Sequence, residues 1–234
     1  MKVAIMQPYF FPYVGYFQLI DAVDTFVFYD DVNFIKKGFI NRNSILLDGR
    51  AYKFMIPCKK LSQNKMIKET YIDLSDSIIK KMLKTFKHAY HDAPFYNQTI
   101  EIIKRVFFSN CKSVSEIAIL SVKSICDYLE IDKNWKISSL HHNASIGLER
   151  EARIIDITKK EFGDVYINME SGKELYDNKI FKHNNIRLNF LCPKLKNYKQ
   201  SSEQFIPSLS IIDVLMFNKP KVVKEMLKAY RIDS

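Results

Sequence analysis

Three observations in the sequence predict an α/β fold, a Rossmann-like parallel sheet of about five strands carrying a β-hairpin insertion and a helical insertion. Residues 1–43 read as strand, helix, strand; residues 131–234 resume that alternation; and between them lie a tight-turn signal and then a long helical periodicity. The expected organisation is a single α/β domain over 1–234, divided into a first βαβ unit (1–43), a hairpin insertion (44–74), a helical insertion (75–130) and the second half of the sheet with closing helices (131–234).

Val3 to Met6 form a short continuous apolar run, as a strand buried on both faces does, and Gln7-Pro8 stops it because proline has no amide for a central ladder. Pro12 suits the approach to a first helical turn, and Val14, Phe17, Gln18, Leu19 and Ile20 then follow helical spacing. Thr25 to Tyr29 read as the second strand. Ser44 to Leu47 and Ala51 to Pro57 flank Asp48-Gly49, a strong hairpin signal, and Met66 to Ile72 is expected as a third strand beside it.

From Ser75 to Glu130 apolar residues recur every three to four positions, giving three helices, with Ser75 as an N-cap and Ser113 with Glu116 as a capping box. Beyond them, Trp135 to Ser138, Asp164 to Asn168 and Ile186 to Leu191 are expected strands. Glu149 to Phe162 and Ser171 to His183 are expected helical segments, and Leu209 to Phe217 and Val222 to Tyr230 close the chain as helices.

Composition narrows the function classes. The formal charge of +10 comes from 36 basic residues, mostly lysine and dispersed along the chain, which describes a solvated surface better than a nucleic-acid site; no specific nucleic-acid partner is expected. Cys58, Cys111, Cys126 and Cys192 form no CxxC pair, and His141-His142 lacks a third ligand at helical spacing, so no metal is expected. No apolar stretch reaches the roughly 18–20 residues of a membrane span, and Met1-Lys2 runs directly into a strand, so no membrane insertion and a cytoplasmic location are expected. The absence of GxSxG, P-loop and GxGxxG patterns disfavours serine hydrolases, kinases and dehydrogenases.

In a sheet of this type ligands bind beyond the carboxyl ends of the strands. Gln7 and Tyr9 follow the first strand, Tyr13 and Gly15 occupy the turn into the first helix, and Asp30-Asp31 follow the second strand. The aspartates are candidate catalytic groups, able to take a proton from an amine or accept from a hydroxyl; an Asx-turn is the competing reading. Lys36, Arg42 and Lys59 are candidates for a diphosphate, with Asn41 and Asn43 bracketing Arg42, and Ser171-Gly172-Lys173 offers amides and a cation at the end of a later strand.

Several motifs resemble one family. They are Met6 to Phe17 (MQPYFFPYVGYF), Val27 to Phe34 (VFYDDVNF), Asn41-Arg42-Asn43, Tyr90 to Phe95 (YHDAPF), Ser171 to Tyr176 (SGKELY), Tyr198-Lys199-Gln200 and Leu209 to Asn218 (LSIIDVLMFN). Together these resemble the WbqC-like protein family over almost the whole chain, departing where Lys219-Pro220 stands in place of a glycine. The resemblance implies a setting in bacterial surface-polysaccharide synthesis, in which the amino group of a nucleotide-linked sugar is acylated before assembly. The expectation drawn from it is a transferase that N-acylates or aminoacylates a nucleotide-linked deoxyamino sugar. No cofactor follows firmly and the acyl donor stays open. The alternatives are a nucleotidyltransferase or ATP-dependent ligase on the same fold, and a non-catalytic sugar-nucleotide-binding or assembly protein.

Overall fold

The computed structural model describes residues 1–234. Its main sheet has six strands in the order β5-β2-β1-β6-β7-β8, formed by β1 (Lys2–Met6), β2 (Thr25–Phe28), β5 (Asn134–Ile137), β6 (Val165–Met169), β7 (Arg187–Pro193) and β8 (Tyr230–Asp233). The first five are mutually parallel, as the sequence predicts, and β8 adds to β7 antiparallel. The sixth strand is the departure: the last helix ends at Leu227, three residues earlier than expected, and Tyr230–Asp233 turns back to cover the free edge of β7.

Alternation along the central strands sends side chains to two cores. Ala4, Phe26, Phe28 and Ile167 face a large cluster built with α1 (Val14–Ala22), α2 (Asp76–Tyr90), α3 (Tyr96–Phe107), α4 (Val114–Tyr128), α8 (Ile211–Phe217) and α9 (Pro220–Leu227). Val3, Ile5, Val27, Tyr166 and Leu188 face the opposite way, against Ile154, Ile155 and Ile157 of α6 (Arg150–Lys160) and Phe181 of α7 (Asn178–His183). With helices on both faces and strands buried on both, this is a doubly wound sheet. The short α5 (Ser138–His141) follows β5 directly.

The hairpin is β3 (Arg42–Leu47) and β4 (Arg50–Met55), a separate two-stranded sheet. Asp48 and Gly49 both have positive φ, +50° and +71°, the pattern of a type I′ turn that matches strand twist. Met66 to Ile72 does not join it. Its backbone is drawn elsewhere: Ile67 and Lys68 donate to the carbonyls of Val32 and Asp30, and a 3-10 turn forms at Ile67–Glu69. The Ser113–Glu116 capping box and the Ser75 cap form as the sequence predicts, and Ser210 caps α8. At the point of departure from the family pattern, Asn218 and Lys219 have φ of −130° and −63°, so no glycine is needed before Pro220 opens α9. No helix is long and apolar enough to cross a membrane.

Candidate functional site

β1 pairs with β2 on one side and β6 on the other, so the connections wind outward in opposite directions from this strand pair. Such a switch point leaves a crevice at the carboxyl ends of the two strands. A cavity of about 330 Å³ lies there, floored by Met6 and Met169, walled by Tyr9, Tyr13, Tyr16 and Phe39, and rimmed by Ser171 and Ser208.

The turn from β1 into α1 shapes it. Phe11 is fully buried with φ +40°, a conformation that costs a bulky residue about 1–3 kcal/mol and persists only where neighbours enforce it. Here they do. Its amide donates to Ser121 Oγ at 2.9 Å, and its carbonyl accepts from Asn43 Nδ2 at 2.8 Å and Ser210 Oγ at 2.7 Å. Past the turn, the Tyr13 ring folds back over Gly15, where a Cβ would lie 2.4–2.6 Å from the phenol. Glycine at this position is what lets Tyr13 stand in the crevice.

The three tyrosines differ in what holds them. Tyr16 donates its hydroxyl to the Gln7 carbonyl at 2.9 Å, while the hydroxyls of Tyr9 and Tyr13 have no partner in the chain. Burial raises the pKa of all three, Tyr13 to about 12 with a further contribution from Tyr9. At neutral pH they are protonated. The crevice therefore offers aromatic faces and two uncommitted O–H donors, and none of its lining residues carries a carboxylate or an ammonium group.

Of the residues singled out in the sequence, Tyr9, Tyr13, Asn43 and Ser171 line this cavity and Gly15 supports it. Gln7 borders it, contributing its carbonyl to Tyr16. Gly172 packs on the Asn168 side chain, 3.1 Å from where its Cβ would be, and Lys173 turns away to Asp233 at 3.1 Å. Asn41 is buried and donates to the Ile56 carbonyl at 2.9 Å, tying the hairpin to the loop before it. Arg42 and Asn43 open β3 instead of lying in a loop. Arg42 Nε donates to the Gly38 carbonyl at 2.9 Å, and neither Arg42 nor Lys36 forms an ion pair, so both leave charge free beside the loop that carries Phe39.

Asp30 and Asp31 share the sheet edge but not the cavity. Asp30 accepts from Ser115 Oγ at 3.1 Å, Ser139 Oγ at 2.8 Å and the Ser139 amide at 3.1 Å. Asp31 accepts from Ser138 Oγ and pairs with Arg153 at 2.6 Å, the two side chains 0% and 7% exposed. Arg153 in turn lies 4.8 Å over the Tyr29 ring. The reading of these aspartates as bases facing the crevice is corrected: every carboxylate oxygen is spent binding β2 to α4, α5 and α6.

The sequence reading also missed a buried carboxylate. Asp213, in the first turn of α8, accepts from Tyr90 Oη at 2.7 Å, Tyr198 Oη at 2.6 Å and Gln200 Nε2 at 2.9 Å. The motifs at 90, 198–200 and 210–213 are thus one network behind the crevice wall. Phe39, Tyr16 and Ser208 were missed as lining residues because they stand in different loops and a helix, joined only by the fold. Glu170, Cys192 and Asp233 bring potential ligand atoms within 4.8 Å of one another, but Asp233 is already paired with Lys173 and Arg231, which fits a metal poorly.

Fold and crevice define a doubly wound α/β protein with an aromatic pocket at its switch point. The WbqC-like protein family matches residues 7–225, and the chain belongs to that family. It is 27% identical, over 93% of each chain, to a protein of Mycobacterium tuberculosis (strain ATCC 25618 / H37Rv) described as uncharacterized protein Rv1507c. No solved structure matches the chain.

Proposed function

We propose that the protein is a transferase that binds a nucleotide-linked amino sugar in the switch-point crevice and acylates its amine. The observation that carries this reading is the pair of protonated, uncommitted phenols of Tyr9 and Tyr13 in an aromatic cavity. The neutral form of the sugar amine attacks the carbonyl of an activated acyl donor; the oxyanion that develops is held by the two phenols, and as it collapses the bond from the carbonyl carbon to the donor's leaving group breaks, the leaving group departing with the proton that the nitrogen gives up, directly or through water. The aromatic walls suit a base or sugar ring, and the free cations of Lys36 and Arg42 suit a diphosphate. Asp30 and Asp31 have no part in the step. The family resemblance supports the pathway context and the geometry supports the ring-binding pocket.

A second reading, a sugar-nucleotide-binding protein without catalysis, is favoured by one observation: no carboxylate, thiol or imidazole lines the crevice. A thermal-shift screen against nucleotide sugars, acyl-coenzyme A species and ATP, followed by mass spectrometry of the mixtures, separates the readings. A ligand at a hundred times its Kd stabilises by about 2.7 kcal/mol. Stabilisation by a nucleotide amino sugar with an acylated product supports transfer; stabilisation without product supports binding alone; a response confined to ATP points to a ligase. Tyr13→Phe is expected to lower turnover about a hundredfold, the scale of one lost oxyanion donor, while the nucleotide sugar still binds.

A further inference from the structure

A second cavity is larger than the crevice. A cleft of about 630 Å³ opens between the start of α2, the end of α3 and the segments that precede them and follow, and no residue lines both it and the crevice. Its size lies in the range of about 300–1,000 Å³ typical of small-molecule sites.

Its lining combines three properties. Tyr71 and Phe108 are each 56% exposed, although each stands beside residues that enter the core; Phe107 is buried beneath the cleft while Phe108 turns out from the end of α3. Lys59, Lys112, Asp73 and Asp76 also line it, and none of the four forms an ion pair or uses its side chain in a hydrogen bond; the lysines are anchored through backbone alone, Lys59 donating its amide to the Tyr71 carbonyl and Lys112 donating its amide to Glu116 while its carbonyl accepts from Ile72. Asn110 adds an amide that is likewise uncommitted. Finally, two lysines against two aspartates leave no net charge, so a phosphate ligand gains no overall attraction here.

We propose that this cleft is a saccharide site, taking an oligosaccharide free of phosphate. Exposed aromatic rings pack against the apolar C–H faces of sugar rings. Carboxylate, amide and ammonium groups together accept from and donate to vicinal hydroxyls, and the carboxylates also receive an amine where the sugar bears one. The site is independent of the crevice and of the reading attached to it.

The test is titration of the whole chain with chitobiose, a glucosamine disaccharide, and with maltose as an amine-free counterpart, followed by NMR. Saturable shifts at Tyr71, Phe108 and Asn110 are expected. Phe108→Ala should weaken binding about tenfold, from loss of the stacking face, with the melting temperature unchanged because the ring is exposed. Phe108→Tyr should bind as the parent does, and Asp73→Asn should weaken chitobiose more than maltose. Absence of saturation with both sugars, unchanged affinity in Phe108→Ala, or shifts confined to Tyr13 and Ser171 would each overturn the proposal. A nucleotide sugar that fails to bind the crevice would leave these expectations untouched.

Discussion

Asp31→Asn tests whether the acidic pair after β2 holds the fold or performs chemistry. The Asp31 carboxylate is wholly buried, and one of its oxygens lies 2.6 Å from Arg153 Nη2, itself almost inaccessible. Neutralising the aspartate leaves the guanidinium without its counter-charge in the interior. Removing one partner of a buried pair costs about 3–5 kcal/mol, against a total stability of about 5–15 kcal/mol. At about 2–4 °C per kcal/mol for a chain of this size, the melting temperature should fall by about 6–20 °C. Denaturant unfolding should show the same loss with an unchanged slope. The double variant Asp31→Leu with Arg153→Met should recover most of it, since apolar replacement of both partners is often neutral. Recovery of turnover by that double variant would exclude Asp31 from the chemistry. A single variant that melts within about 2 °C of the parent but loses turnover would refute the holding role.

Three further outcomes are expected. Gly15→Ala should leave stability level or raise it by up to about 1 kcal/mol from helix propensity, yet displace the Tyr13 ring and abolish the nucleotide-sugar response; a retained response would show that Tyr13 does not need its present place. Burial holds the His142 imidazole below its ordinary range, so the folded state binds fewer protons there, and stability complete above pH about 6.5 is lost as pH falls toward the folded value; His142→Gln should flatten that part of the stability profile, and an unchanged slope would remove His142 as its source. Binding to duplex DNA should be weak, indifferent to sequence and abolished by salt, and a tight, selective complex at physiological ionic strength would contradict the dispersed-lysine argument.

The parallel sheet was legible because its strands are short apolar runs closed by Pro8, Asp30 and the residues after Asn168, and because the helices between them carry clear periodicity. The hairpin was legible from two residues, Asp48 and Gly49. β8 was not: Tyr230-Arg231-Ile232-Asp233 is short and polar, and only the open edge of β7 makes it a strand. At the site, Tyr9, Tyr13 and Ser171 were found because position after a strand is a sequence property. The commitments of Asp30, Asp31 and Lys173 were invisible, since Ser138, Arg153 and Asp233 lie far away in the chain and a carboxylate at a strand end looks the same whether it is free or bound.

The same long-range logic accounts for how widely the family motifs are scattered. The Phe11 turn is unfavourable by itself, and the groups that enforce it come from β3 through Asn43, α4 through Ser121 and the start of α8 through Ser210. Two of those supports are themselves braced. Ser210 donates its amide to the Ser44 carbonyl, and Tyr90 accepts from the Leu46 amide while donating to Asp213, so hairpin and α8 are locked together behind the turn. Asp213 is buried with three donors on it, and loss of any one leaves a buried carboxyl oxygen with fewer partners in a low dielectric, so the three contacts support one another. Residues as distant as 90, 198 and 213 thereby bear on where Tyr13 stands, without any of them touching the crevice. A strained turn braced from three directions is the arrangement expected where a ligand-facing ring must be held in one place.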